Sequence, residues 1–155
     1  MKKVNPDYIE AVNRIVNDSP FFSLISMTIQ ELGLGWSVLE VALAEKHLQP
    51  FGSVHGGVMA TVIDAATFWA VYCDLDDPET GLTSIDLKLN YLSPGRSSGR
   101  LIARGRQIKL GRSLGYADAE VRDDQGQLLA HGTSTLMVLP KKGLTAQPPL
   151  PPKFL

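Results

Sequence analysis

The sequence has a single cysteine, Cys73, so no internal disulfide is available and the chain suits a reducing compartment such as the cytoplasm. It carries little net charge, −1 with a pI near 6.3, which argues against general affinity for nucleic acid or an anionic membrane. No apolar run follows Lys2 and Lys3, so the first residues do not read as a secretory signal. His47, His55 and His131 lack metal-ligand spacing and Cys73 has no cysteine partner, so no metal is expected. No internal repeat is apparent. What is present is ordinary globular composition, 44% hydrophobic and 20% charged, in 155 residues, enough for one domain with a real core.

Charge is absent over two stretches, Gly56 to Ile63 and Ala65 to Cys73, which flank Asp64. Together they approach bilayer-spanning length, but they hold a central carboxylate and begin with two glycines. The segment therefore reads as a buried core helix from about His55 to Cys73, not as a membrane span. Val58, Met59, Val62, Ile63, Phe68, Trp69 and Val71 surround Asp64 on nearly every side, and a helix apolar all round is buried. An unpaired buried carboxylate costs several kcal/mol by the usual order for isolated charges, so Asp64 needs a reason to be there. A pairing with a distant arginine, or a solvated rim, would be the structural reason; a reaction would be the functional one.

The rest of the chain reads as helix, two strands, the long helix, then a run of antiparallel strands, an α+β plan. Asn5-Pro6 starts a helix that carries Tyr8, Ile9, Val12, Ile15 and Val16 at helical spacing to Asp18. Ser19-Pro20 breaks it, with Phe21, Phe22 and Leu24 expected to tuck beneath. Strands are expected over Met27 to Leu34, Trp36 to Leu43, Ser84 to Leu92, Arg100 to Leu110, Leu114 to Arg122 and Leu128 to Leu139. In the third of these, strict alternation puts Ile85, Leu87, Leu89 and Tyr91 on one face. Residues 1–139 thus form one domain, and 140–155 a proline-rich tail expected to be irregular or extended. Gly95-Arg96-Ser97-Ser98-Gly99 fits a serine nucleophile elbow by letters only, because a strand and not a helix follows it.

At the start of the central helix stand His55, Gly56 and Gly57. Backbone N–H groups of a first helical turn have no intrahelical partner, and the helix dipole adds positive potential, a setting that can hold a developing oxyanion. Close packing against the sheet would equally call for glycines. Asp64 lies nine residues after His55, about 13 Å along the axis and half a turn round. The two cannot meet one substrate atom within one helix. Two such helices packed antiparallel about a two-fold axis could bring them together, giving a homodimer with shared sites.

Gln49-Pro50-Phe51-Gly52-Ser53-Val54-His55-Gly56-Gly57 through Asp64 resembles the signature of the PaaI-like hot-dog thioesterases, within the 4-hydroxybenzoyl-CoA thioesterase superfamily. Thr83 to Pro94 and Gly111-Arg112-Ser113 resemble later segments of that family, so the likeness covers about Leu24 to Leu139. The resemblance implies a curved antiparallel sheet wrapped around a long central helix, paired into dimers and often tetramers as a dimer of dimers. It implies hydrolysis of an acyl-CoA, aromatic or medium-chain, with no cofactor, CoA being part of the substrate. By matching position, Asp64 would be nucleophile or general base and Ser84 would help hold the attacking water. Gly56 N–H would polarise the thioester carbonyl and His55 would shape that loop. Tyr91, Lys109, Gly111, Arg112 and Ser113 match CoA-contacting positions. Gln49 stands where the family commonly has Asn, one methylene longer on the residue expected to contact the carbonyl.

Every charged residue from Leu87 to Ala117 is basic, a local positive field suited to CoA phosphates or to pairing with the acidic stretch from Asp74 to Glu79. Two rivals are a non-catalytic acyl-CoA-binding protein and a hot-dog dehydratase. An acid kept in an apolar helix disfavours the first, and the lack of a second acid–histidine motif disfavours the other.

Overall fold

The computed structural model describes residues 2–155. The elements are α1 (Pro6–Asn17), α2 (Pro20–Leu24), β1 (Met27–Gly33), β2 (Trp36–Ala42), α3 (Gly56–Tyr72), β3 (Gly81–Tyr91), β4 (Arg100–Leu110), β5 (Leu114–Asp123) and β6 (Leu128–Leu139). A short 3-10 turn, Glu45–His47, stands between β2 and α3. The strands make one antiparallel sheet in the order β1-β2-β4-β5-β6-β3, and α3 packs against all six.

Helix α3 is apolar round its circumference, and Val62, Ile63, Ala66, Ala70 and Val71 are fully buried. The sheet meets it with small residues at the closest approach. Gly105 on β4 lies so near that a Cβ there would sit 2.2 Å from the Ala66 carbonyl oxygen. The Ser37 hydroxyl, buried on β2, donates to that same oxygen at 2.7 Å.

The N-terminal helix follows its sequence signals. Asn5 Oδ1 accepts from the Asp7 N–H at 3.1 Å, and Pro6 occupies the first turn. At the other end the Asn17 side chain clasps Ile29, accepting from its N–H at 2.7 Å and donating to its carbonyl at 3.2 Å. That clasp falls where β1 shifts register against β2, between Ile29 and Glu31.

Two expectations fail locally. Phe21, Phe22 and Leu24 do not tuck beneath α1. Pro20 restarts the chain as the short helix α2, which leaves Phe21 and Leu24 exposed and Phe22 half-buried. In β3 strict alternation is interrupted by a bulge at Ile85: Ser84 faces Leu136, but Asp86 faces the next residue back, Thr135. One extra residue turns Ser84 onto the same inward face as Leu87, Leu89 and Tyr91.

The proline-rich tail has little regular structure yet is docked on the domain. Val4 bridges Phe154, Asn5 N–H donates to the Lys153 carbonyl at 2.9 Å, and the Asn5 amide donates to the Pro152 carbonyl at 2.9 Å. Lys153 is only 4% exposed. Its ammonium donates to the Tyr72 and Leu75 carbonyls at 2.7 and 2.8 Å, capping the C-terminal end of α3, and lies over the Tyr72 ring. Among the described residues no helix is long and apolar enough to cross a membrane.

Candidate active site

Asp64 projects from the middle of α3 and is half-buried in the single chain, not sealed in the core. The Ser84 hydroxyl donates to Asp64 Oδ1 at 2.6 Å, a length suited to a charge-assisted bond. The bulge in β3 makes this meeting possible, since it aims Ser84 at the helix. The carboxylate's partner is thus a hydroxyl and not an arginine.

Asp64 stands on the wall of a cavity of about 240 Å³. Thr61, Ala65 and Phe68 line it from α3, at the helical spacings that share a face with Asp64. Phe21 and Phe22 of α2, Met27 of β1 and Trp69 of α3 complete the lining. Phe68 and Trp69 meet edge-on, their ring centroids 5.2 Å apart. The α2 phenylalanines and Phe68 were not singled out from sequence as site residues. The spacing of Thr61, Ala65 and Phe68 around Asp64 was the signal that could have found the helical part of this wall.

The other predicted residues gather at the start of α3. His55 is the N-cap, and its Nδ1 accepts from the Gly57 N–H at 2.8 Å, so the imidazole carries its proton on Nε2 if neutral. The first-turn Gly56 N–H, by contrast, has no acceptor among the described residues. It remains a donor at the positive end of the helix. The Tyr91 hydroxyl donates to the Gly56 carbonyl at 3.1 Å, and a Cβ at Gly56 would lie 2.9 Å from the Tyr91 ring. In the single chain, then, Tyr91 fixes the helix start. The loop before it is held by Gln49, whose side chain donates to the Ser53 hydroxyl at 2.6 Å and accepts from the Phe51 N–H. Buried His47 braces this region by accepting from the Ala44 N–H and bonding the Ile25 carbonyl at 2.7 Å.

Lys109, Gly111, Arg112 and Ser113 lie elsewhere. The turn from β4 to β5 is closed by Gly111 N–H donating to the Leu114 carbonyl at 2.8 Å. Gly111 and Arg112 line a hollow with Asp74, Asp76 and Asp77, at the C-terminal end of α3. Within one chain they are therefore about 25 Å of helix away from Gly56. Two of the seven residues of the basic run, Arg100 and Arg106, pair with carboxylates of neighbouring strands. Arg106 grips Asp118 with two bonds of 3.0 and 3.1 Å, Arg122 meets Glu120 at 2.8 Å and Arg100 meets Glu40 at 3.3 Å. The Arg106 and His131 contacts hold the Asp118 carboxyl below its usual range despite the opposing effect of burial, the largest single influence. The acidic turn is met by Lys2, 2.7 Å from Asp76. Among the described residues no cluster of three His, Cys, Asp or Glu side chains is placed to hold a metal ion. A hollow of about 700 Å³ beneath the tail does not include Asp64.

An antiparallel sheet wrapped on one long helix, with a hydroxyl-bound carboxylate on that helix and glycines at its start, defines the hot-dog class of α+β thioester hydrolases. Residues 51–130 match the sequence profile of the Thioesterase superfamily, and the chain belongs to that superfamily, with its hot-dog fold. A Caenorhabditis elegans protein named as an esterase is 33% identical over 68% of this chain, which spans 62% of that protein's length. Acyl-coenzyme A thioesterase 13 of Mus musculus is 28% identical over 63% of this chain and 69% of its own. A thioesterase of Haemophilus influenzae superposes with a TM-score of 0.80 at 25% identity, over 90% of this chain and 96% of that one. The E. coli PaaI protein, at 16% identity, shares the fold with a TM-score of 0.79 over 89% of this chain and 97% of that one.

Proposed function

We propose that the chain hydrolyses acyl-CoA thioesters to the free acid and CoA, with Asp64 acting on the thioester carbonyl and the Gly56 N–H stabilising its oxygen. The observation that carries this reading is the Asp64 carboxylate, held by Ser84 at 2.6 Å on the wall of an apolar cavity. As general base, Asp64 takes a proton from water as the water oxygen bonds to the carbonyl carbon. The oxyanion so formed lies at a helix start, and its collapse breaks the C–S bond as the sulfur receives the proton. As nucleophile, Asp64 would form an acyl anhydride that water then opens. Single turnover in labelled water separates the two routes, since only the second puts label into the Asp64 carboxyl.

The site is completed by a two-fold mate. Asp64 and Gly56 sit on one helix about 12 Å apart along its axis, too far to serve one carbonyl. Strand β3 is a sheet edge with apolar Ile85, Leu87 and Tyr91 exposed along it, a surface suited to pairing with its own copy. An antiparallel mate reverses the helix ends. It sets its Asp64 against the first chain's Gly56 and brings its own Lys109, Gly111, Arg112 and Ser113 to the same end as that chain's Tyr91. CoA phosphates would lie there. On this reading the protein works in the cytoplasm as a homodimer, or as a dimer of dimers.

The test uses two inactive proteins, Asp64→Asn and Gly56→Val. Thiol release from an acyl-CoA panel is expected to fall roughly 10²–10⁴-fold in Asp64→Asn. Unfolding the two together and refolding them should restore about a quarter of wild-type activity, because mixed dimers hold one intact site. Full activity in Asp64→Asn would leave a binding protein or another catalytic group. No recovery on mixing, with folded dimers, would defeat the shared site.

A further inference from the structure

The cavity beside Asp64 is small and is walled on one side by an element that is not part of the sheet-and-helix core. It is about 240 Å³, below the roughly 300–1,000 Å³ typical of sites for drug-sized ligands. Its α3 wall is made by Thr61, Asp64, Ala65 and Phe68, the last one helical turn beyond Asp64. An acyl group on a thioester carbonyl held at Asp64 can enter this cavity. The far wall is α2, whose Phe21 and Phe22 face Phe68 and Trp69 across the cavity.

From this arrangement we infer that α2 is the acyl-selecting element of the enzyme, with Phe22 and Phe68 as a stop that admits a compact acyl group and rejects a long straight chain. The inference rests on the reading of Asp64 as the reacting carboxylate. Three observations carry it. Phe22 is half-buried and packs on the core, so it is a wall and not a loose side chain. Phe68 is held by two rings, edge-on to Trp69 and stacked on Tyr72 at 5.7 Å, so it cannot swing away without breaking both contacts. Helix α2, five residues long, is fixed at its start by Pro20 and by the Ser19 hydroxyl, which donates to the Val16 carbonyl at 2.6 Å. Aromatic walls on two sides limit the space beside Asp64 to a compact acyl group. Phe21, by contrast, is 53% exposed and stands at the mouth.

The experiment compares kcat/KM for acetyl-, butanoyl-, benzoyl-, octanoyl- and hexadecanoyl-CoA in the wild type, Phe22→Ala and Phe68→Leu. The wild type should favour butanoyl and benzoyl over hexadecanoyl. Phe22→Ala and Phe68→Leu should each raise the ratio of octanoyl to benzoyl by roughly tenfold, the scale set by pocket size. Phe68→Leu keeps an apolar filler and so guards against a fold defect in Phe22→Ala. Wild-type preference for hexadecanoyl-CoA, or equal losses on every substrate in both folded variants, would overturn the inference. These outcomes leave Asp64-dependent hydrolysis standing. Hydrolysis that survives Asp64→Asn unchanged would instead remove the reading beneath it.

Discussion

The bond between Ser84 and Asp64 joins two residues twenty positions apart, and its length decides what the hydroxyl does. At 2.6 Å it holds one carboxylate oxygen, so Ser84 orients the acid that would meet the substrate. A hydrogen bond to a charged group contributes about 1.5–3 kcal/mol, so Ser84→Ala should lower kcat by at most roughly a hundredfold while KM changes little. Steady-state thiol release at saturating acyl-CoA measures this. An unchanged kcat would mean that the serine only fills space. Gly56 shows the opposite kind of constraint. A side chain there would meet the Tyr91 ring and displace it from the Gly56 carbonyl.

Among the elements, α3 and the sheet approach each other through missing side chains. Gly105 lets β4 close on Ala66, and the Ser37 hydroxyl satisfies the Ala66 carbonyl that this contact shields. Gly105→Ala would drive a methyl into backbone that cannot rotate away and would displace Ser37. Overpacking of this kind costs typically about 1–3 kcal/mol. Urea unfolding should report a lower midpoint with the m-value unchanged, and an unshifted midpoint would show that the sheet flexes at no cost. The bulge in β3 works at this scale too, since it changes which face Ser84 shares without altering the strand's length.

Over the whole molecule, the two ends of the chain meet at the C-terminal end of α3. Lys153 is buried there on the Tyr72 and Leu75 carbonyls, and burial pushes its pKa down from 10.5 to about 8. Asp74 and Asp76 oppose that fall and Lys2 adds to it. Between pH 8 and 10.5 the unfolded chain keeps a proton that the folded chain has released, so this group adds stability as pH rises through the window. Burial raises the Cys73 thiol to about 11, which acts in the other direction, as does the raised Tyr8 hydroxyl. Those effects are shared with Lys153→Met and largely cancel in a comparison. The stability of the wild type relative to Lys153→Met should therefore grow between pH 7.5 and 10, as measured by urea unfolding. A pH-independent difference would mean that the lysine is not held in a dry site.

Local pattern made most of the architecture legible. Helical spacing gave α1, the uncharged run around Asp64 gave α3, and turn residues bounded the strands, because each depends on neighbours within a few positions. The residues of His55-Gly56-Gly57 and Asp64 could be named for the same reason. Tertiary structure alone decided how the acid is served. The bulge that aims Ser84 depends on pairing with β6, the aromatic stop brings α2 against the far side of α3, and the buried Lys153 needs both ends of the chain. Each of these joins segments whose separation along the chain leaves no periodic trace, so contacts between distant segments, and not the order of residues within one, set the chemistry.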